Sequence, residues 1–557
     1  MGRQLETGAG PLGHLDEKAT LLDAFRATVA RRPDAVALRT PGDEVRLTWA
    51  QCADRVRRLA EGLAGLGVRP GDTVAFLLRN RPEFNLLDTA ALHLGAVPWS
   101  IYLTSAPEQI RFLLAGAASR VVICEPDLAG KLRGSLDGTA VEHVVPLDEL
   151  DGLPAAPPGF DLAAAGATVL ADSPLTIIWT SGTTGDPKPV ELHHGGMIAM
   201  LRGFAERAGL ERDGRITSYL PAAHVADRWT AHYLWMLFGA EMTCVLDGPK
   251  IIETLPAVRP TLWGSVPRVW EKLHAALVAQ GIADPAALSE PARAQVRSTL
   301  GLDQVRFLVV GAAPLPAETL HYFAALGLPI CELWGMSETC GILTVNPPDA
   351  PRYGTVGTAL PGVELRIAPD GEVLAKGPQL MRGYRGRPDL TAGTIVDGWL
   401  HTGDIGELDP DGYLRIVDRK KELIINAAGK NMSPLAIEGA LKTAGPLIGQ
   451  VCVIGDRRPY NVALLVLDPD AARGWARTHS EVGTEYADLV GRPELLADVA
   501  EEVASANERL SRVEQVRRWR VLGVDWLPDS EELTPTMKLK RRVIASKYAA
   551  TIEELYA

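Results

Sequence analysis

The sequence predicts an α/β protein: a large N-terminal domain of doubly wound sheets plus a small β-barrel-like part, then a small, mobile α+β C-terminal domain. Three observations carry this prediction. Short apolar runs at 74–78 (VAFLL), 121–124 (VVIC), 175–179 (LTIIW) and 307–310 (FLVV) alternate with helical stretches, as buried parallel strands and their crossover helices do. Near residue 360 the texture shifts to short strands joined by turns. At 557 residues the chain also spans three to four units of about 150 residues each, enough for several cores.

Taken in order, the 74–78 strand is followed by a helical pattern over 83–94, which Gly95 stops. The 175–179 strand runs into a loop rich in Gly, Ser and Thr, and the 307–310 strand into one that begins at Gly311. In a doubly wound sheet, ligands bind in loops beyond the carboxyl ends of the strands, so chemistry is expected in these two. Strands at 363–367, 371–374 and 406–417, with the turn Asp409-Pro410-Asp411-Gly412, make the barrel-like part. The polar run Arg419-Lys420-Lys421-Glu422 then separates an N-terminal domain over 1–417 from a mobile one over 418–557. Within the latter, 494–518 reads as one long charged helical segment.

With 46% hydrophobic and 23% charged residues, and 54 Gly and 40 Pro spread along its length, the chain is neither collagen-like, coiled-coil nor wholly disordered. Fifty-seven cations against 69 anions leave a net charge of −12, which argues against nucleic acid as the main partner. The six cysteines are scattered without a CxxC pair, as in reduced thiols of a cytoplasmic protein rather than a disulfide or zinc framework. No apolar signal core and no run of 18 apolar residues is present, so neither secretion nor a transmembrane segment is expected; peripheral membrane contact stays open. Only 13 of the 57 cations are Lys. Six of those, Lys188, Lys420, Lys421, Lys430, Lys538 and Lys540, lie in or beside the motifs below.

The strongest of these motifs is Thr180-Ser181-Gly182-Thr183-Thr184-Gly185-Asp186-Pro187-Lys188, directly after the LTIIW strand. Two glycines, four hydroxyls and a lysine form a loop whose backbone N–H groups and side chains can surround a polyphosphate. It is not a Walker A loop, because no Gly-Lys-Ser/Thr follows at the required spacing.

This segment resembles the phosphate loop of the adenylate-forming superfamily, the acyl-CoA synthetases and their relatives. Further motifs follow in the family's order. Gly311-Ala312-Ala313-Pro314-Leu315 resembles the adenine-side loop, and Glu332-Leu333-Trp334-Gly335-Met336-Ser337-Glu338-Thr339 the aromatic-Gly-x-Ser/Thr-Glu signature. Gly398-Trp399-Leu400-His401-Thr402-Gly403-Asp404 and Asp418-Arg419-Lys420-Lys421 match the ribose and hinge motifs, and Thr534-Pro535-Thr536-Met537-Lys538-Leu539-Lys540 the C-terminal lysine motif. The resemblance spans roughly residues 20 to 550. The segments 219–224 (YLPAAH) and 260–270 (PTLWGSVPRVW) are similar to the long-chain fatty acyl branch.

The resemblance implies two half-reactions. A carboxylate first joins the α-phosphate of ATP and releases pyrophosphate; a thiol, that of CoA, then attacks the acyl-adenylate. Two anions must meet in the first step, so cations and donors have to be in place beforehand. By resemblance, Glu338 and a hydroxyl of the loop, Thr180, hold Mg²⁺, which would keep most of its waters. Ser337 contacts the α-phosphate and Trp334 stacks on adenine. Asp404 accepts the ribose hydroxyls, as an ionised carboxylate can, and Arg419 serves as an always-charged donor beside it. Lys538, a compact ammonium on a flexible stem, is the catalytic cation. Asp418 and Lys421 form the hinge about which the C-terminal domain rotates for the second step. His224 stands at the mouth of the acyl pocket on the substrate side, not as a general base, and Trp229 gates the acyl channel.

Two positions depart from the family pattern. Pro189 replaces the usual Gly after Pro-Lys, fixing φ and removing an N–H, and Ile425 stands where several relatives carry a second lysine used in thioester formation. The reading is an ATP-, Mg²⁺- and CoA-dependent ligase of a medium- to long-chain or similarly hydrophobic carboxylic acid. An acyl-AMP ligase passing the acyl group to a carrier protein or an amine is the alternative.

Overall fold

A computed structural model describes residues 19–180, 186–426, 431–479, 481, 484–527, 530–534 and 538–557. Four sheets build the larger, N-terminal part. The first is seven-stranded, in the order Gly383–Tyr384, Lys188–His193, Pro174–Thr180, Val97–Ser100, Thr73–Leu77, Val121–Cys124, His143–Pro146. Its five strands from Pro174–Thr180 to His143–Pro146 run parallel, while Lys188–His193 and Gly383–Tyr384 add antiparallel at one edge. The Thr73–Leu77 strand is buried at every position, as expected of a strand covered by helices on both faces. One covering helix, Pro82–His93, starts with Pro at its first turn and is buried along nearly its whole length.

A second sheet joins Arg46–Thr48, Val36–Arg39, Glu241–Cys244 and Arg215–Ser218. In the third, Leu262–Ser265, Phe307–Val310 and Ile330–Trp334 run parallel before two short antiparallel strands. The fourth is antiparallel and matches the expected turn-rich part: Glu364–Ile367, Glu372–Lys376, Trp399–Leu408 and Leu414–Arg419, with Asp409 and Gly412 closing a turn between the last two. Its last strand carries Asp418 and Arg419 inside the larger part's hydrogen-bond ladder, paired with Ile405 and Asp404.

The C-terminal part is a three-stranded sheet, Ile448–Ile454, Asn461–Leu467 and Val516–Val521, with helices on both faces. Alternate residues of Asn461–Leu467 feed two cores. Ala463 and Leu465 pack with Ile437, Val499 and Val503 of two helices, while Val462, Leu464 and Val466 pack with Ile544, Ile552 and Leu555 of the last two. The expectation of one helix over 494–518 is corrected here. The helix is Pro493–Glu508, and Val516–Val521 is a strand parallel to Asn461–Leu467. Asn507 makes the turn, its amide exchanging hydrogen bonds with Val516 at 3.0 and 2.9 Å. The arginines that gave the segment its helical look point outward from the strand, while Val516 and Val521 point in.

All six cysteines are buried and free. Among the described residues no helix is long and apolar enough to cross a membrane.

Candidate active site

The motifs converge at the carboxyl ends of the parallel strands. Thr180 ends the Pro174–Thr180 strand directly opposite Lys188, and its hydroxyl lies 3.5 Å from the Lys188 carbonyl oxygen, at the limit of a hydrogen bond. Ser181, Gly182, Thr183, Thr184 and Gly185, assigned to the phosphate loop, lie outside the described residues. Pro189 is buried in the strand leaving the loop and uses only its carbonyl there, accepting from the Arg385 N–H at 2.8 Å.

Gly311 follows the Phe307–Val310 strand; a Cβ there would lie 2.6 Å from the tip of the Leu333 side chain, so the glycine brings the two motifs close without displacing that leucine. Ala312 holds φ at +71°, a left-handed conformation costly for alanine, and is exposed with Ala313 and Pro314 at the strand end. In the neighbouring strand Glu332 is buried beside the Gly354 N–H at 3.0 Å, and burial pushes its carboxyl up to about 7. Gly335 is also obligatory, since a Cβ would stand 2.3 Å from the Gly341 carbonyl oxygen. Thr339 closes the turn that follows, accepting from the Met336 N–H at 3.1 Å and leaving Ser337 buried.

Asp404 and Arg419 face each other across two antiparallel strands, and the carboxylate meets the guanidinium at 2.7 Å. Its second oxygen accepts from the Trp334 indole N–H at 2.8 Å. Burial raises the Asp404 pKa, with the Arg419 charge, the Trp334 bond and the Lys538 charge opposing the rise. Trp334 itself is 9% exposed and sits in a small core with Leu343, Val373 and Leu414. Its indole edge is committed to the Asp404 carboxylate.

Glu338 accepts from the Tyr384 hydroxyl at 2.8 Å. Lys188 lies over the same phenol ring, 5.1 Å from its centroid. Sequence reading did not find Tyr384. It sits in a two-residue strand with no periodicity, 46 residues from Glu338.

Lys538 comes from the C-terminal part yet its charge is felt by Asp404 and His224 in the larger part, and in turn it feels Arg419, Glu422 and Glu338. The side chain reaches solvent, and the protein packed around it, then the Arg419 charge, holds its pKa below that of ordinary lysine. Thr534 pins the residue, accepting from the Lys538 N–H at 3.0 Å and donating its own N–H to the Lys538 carbonyl at 2.8 Å. Three residues on, Arg541 makes a bidentate pair with buried Glu438 at 2.6 and 2.7 Å and a contact with Glu422 at 3.3 Å. The lysine loop is thereby tied to a helix and to the segment after the proposed hinge. Asp418 accepts from the N–H of Leu435 at 3.2 Å and from Ser433, at the start of the Pro434–Lys442 helix. Lys421 is exposed next to Lys420, which pairs with Asp370 and Glu372 at 2.6 and 2.9 Å.

His224 accepts the Ala226 N–H on Nδ1 at 3.1 Å, so its neutral ring carries the proton on Nε2. Burial, with the Lys538 cation nearby, pushes its pKa down to about 4. The ring is therefore neutral throughout the physiological range. We expect no break from His224 in the pH–rate profile between pH 5.5 and 8. Asn at this position preserves the helix cap, and a break near pH 6.5 that vanishes in His224→Asn overturns the assignment.

Trp229 is buried edge-on to Phe204, with ring centroids 5.1 Å apart. With Tyr219 and Trp263 it lines a cavity of about 10 Å³, room for a single water.

The AMP-binding enzyme model matches residues 25–385, and the model of that family's C-terminal domain matches 421–557. The chain belongs to the adenylate-forming, AMP-binding enzymes. Among its relatives in this family, fadD11 of Mycobacterium tuberculosis, provisionally described as a fatty-acid–CoA ligase, is 46% identical over 72% of this chain and 76% of its own. The long-chain-fatty-acid–CoA ligase FadD15 of Mycobacterium bovis is 36% identical, with 92% of each chain covered. In fold the chain is similar to a Mycobacterium tuberculosis fatty acyl CoA synthetase, with TM-score 0.65, 25% identity and coverage of 96% of this chain and 99% of that one. It is likewise similar to the AMP complex of Bacillus subtilis o-succinylbenzoate CoA synthetase, with TM-score 0.74, 23% identity and coverage of 94% and 98%. The α/β architecture and the adenylate-forming family read from the sequence are both borne out.

Proposed function

We propose that this AMP-binding enzyme is an acid–CoA ligase that activates a medium- to long-chain or similarly hydrophobic carboxylic acid with ATP and Mg²⁺, then transfers the acyl group to CoA. The observation that carries this reading is the Asp404–Arg419 pair held by Trp334, with the Lys538 charge within electrostatic reach of Asp404, Arg419, Glu338 and His224. The fatty-acid–CoA ligase relatives support CoA as acceptor, and none of those named supports a carrier protein or an amine.

The donors fit Mg²⁺ held through ATP. Glu338 spends one oxygen on Tyr384, and among the described residues the Thr180 hydroxyl makes only its long contact with Lys188. Among the described residues no cluster of three or more His, Cys, Asp or Glu could cage a metal. One carboxylate oxygen and one hydroxyl suit an ion that keeps most of its waters. When bound, Mg²⁺ supplies charge neutralisation at the phosphate oxygens.

The protein's own groups do the rest. Asp404 retains lone pairs beyond those given to Arg419 and Trp334, and accepts from the ribose hydroxyls. Lys538 and Arg419 offset the charge of two anions brought together, in a cleft where burial strengthens their effect. His224 offers its Nε2–H to a substrate oxygen at the mouth of the acyl pocket, and Trp229 must move to admit the chain. For the second step the C-terminal part turns about the hinge at Asp418 and Lys421, withdrawing Lys538. The buried, reduced cysteines fit a cytoplasmic enzyme.

The decisive experiment is pyrophosphate release over a panel of acids, with and without CoA. Acyl-CoA from a medium- or long-chain acid supports the reading. Acyl-AMP that accumulates in the presence of CoA overturns it.

A further inference from the structure

Tyr384 lies between two groups of opposite charge that do not pair with each other. Its strand is held from both sides. Arg382 and Arg385 donate N–H bonds to Glu191 and Pro189 of the hairpin leaving the phosphate loop, at 2.9 and 2.8 Å. Met381 donates to the Glu338 carbonyl oxygen at 2.8 Å. Gly383 permits the approach, since a Cβ there would stand 2.8 Å from the Thr391 side chain. Thr391 in turn accepts the Tyr384 N–H at 2.9 Å. The phenol is buried, donates to Glu338 Oε1 at 2.8 Å, and presents its ring to the Lys188 ammonium 5.1 Å from the centroid.

A lysine is a mobile cation, and a carboxylate with an oxygen to spare is its natural partner. Among the described residues Lys188 and Glu338 nevertheless form no ion pair, and the phenol contacts both. A hydroxyl bonded to one carboxylate oxygen restrains that carboxylate's orientation. A π face attracts an ammonium without neutralising it.

We propose that Tyr384 is a positioning residue for the nucleotide: it keeps Lys188 and Glu338 from neutralising each other, so that the lysine stays available to phosphate oxygens and the carboxylate to the metal ion. The proposal rests on the ligase reading above, because it presumes that this cleft takes MgATP. The hydroxyl and the ring have separable tasks. The hydroxyl serves Glu338 and therefore metal-dependent affinity. The ring separates the charges and therefore serves affinity for ATP itself.

The test is equilibrium binding of ATP to the full chain by calorimetry, with Mg²⁺ and with EDTA, before any turnover. In Tyr384→Phe the affinity for MgATP is expected to fall about tenfold, the scale of one hydrogen bond to a charged group, while affinity for metal-free ATP stays at the wild-type value. In Tyr384→Leu metal-free ATP also binds about tenfold more weakly, because Lys188 closes on Glu338. Adding Glu338→Gln to Tyr384→Leu then restores metal-free ATP binding, a rescue that local damage to the strand does not produce. Unchanged metal-free binding in Tyr384→Leu, or no rescue in the double variant, overturns the proposal. If Tyr384→Leu does not fold, Tyr384→Phe decides alone: equal loss with and without metal overturns the hydroxyl's role. If the wild-type chain binds neither form of ATP, it is the ligase reading that fails.

Discussion

Lys538→Ala is expected to lower acid-dependent pyrophosphate release by about 10²–10³-fold, the scale of removing one preorganised donor from a developing charge. The ammonium reaches the cleft from the C-terminal part, and Arg419, Asp404, Glu338 and His224 all lie within its electrostatic range. Its removal leaves two anions to meet with Arg419, Lys188 and the metal. Folding is expected to be unaffected: only the Lys538 backbone bonds Thr534, so alanine keeps those bonds. Unfolding midpoints of the two proteins should coincide. The pH dependence has a definite sign. The step needs protonated lysine, and burial with Arg419 lowers its pKa, so the rate falls as pH rises through a value below 10.5. That alkaline limb should vanish from the residual rate of Lys538→Ala. Lys538→Arg should recover only part of the loss, since a planar fork does not replace a compact ammonium. A rate within twofold of wild type for Lys538→Ala, about 0.4 kcal/mol on the barrier, removes the residue from the chemistry.

Much of this site was legible because the motif residues follow strands that announce themselves. Thr180, Gly311 and Gly335 each come directly after a short apolar run, and such strand ends are where an α/β sheet binds. Local signals also foretold the turn-rich sheet, whose Asp-Pro-Asp-Gly turn is chemistry written within four residues. Contacts between distant segments were not legible. Tyr384 meets Lys188 only because a two-residue strand adds to the edge of the seven-stranded sheet, 194 residues from its partner Val190 by chain order. Trp334 carries the family's aromatic position, yet which face or edge of a ring is used depends on what lies around it. Here that is Asp404, 70 residues away. The 494–518 segment failed for a different reason. A charged strand with a single buried residue at each end has the composition of an exposed helix, and only its pairing with Asn461–Leu467 decides otherwise.

The same limit hid the most heavily buried charges of the chain, and these carry the second large expected effect. Arg228 and Asp88 are both fully buried, and their guanidinium and carboxylate meet at 2.6 Å. Arg228 also donates to the Ala222 carbonyl, the Tyr233 hydroxyl and the Ser100 hydroxyl, at 3.1, 3.0 and 3.1 Å. The other Asp88 oxygen meets the His232 ring at 2.9 Å. The Arg228 charge, then that of His232, holds the Asp88 pKa below its usual value against the opposing effect of burial. Asp88→Ala leaves the guanidinium buried and uncompensated, and should cost about 3–5 kcal/mol, read as a lower urea midpoint for the larger part of the chain. Arg228→Met should cost a similar amount by stranding the carboxylate. Replacing both, Asp88→Leu with Arg228→Met, should return most of the loss, because an apolar pair of similar volume has no charge to desolvate. If the double variant is as unstable as the sum of the singles, the pair is not the unit that matters. Trp229 adds a second reading of the same variants. It follows Arg228 in the wide, π-type turn Arg228–Tyr233, a geometry that often marks functional sites. Its ring lines, with Tyr219 and Trp263, the small cavity that would open into the proposed acyl channel. With the ion pair gone but the fold restored, the turn loses the anchor that sets the Trp229 backbone. The double variant should then show a raised KM for the acid with KM for ATP unchanged, a split that general destabilisation does not produce.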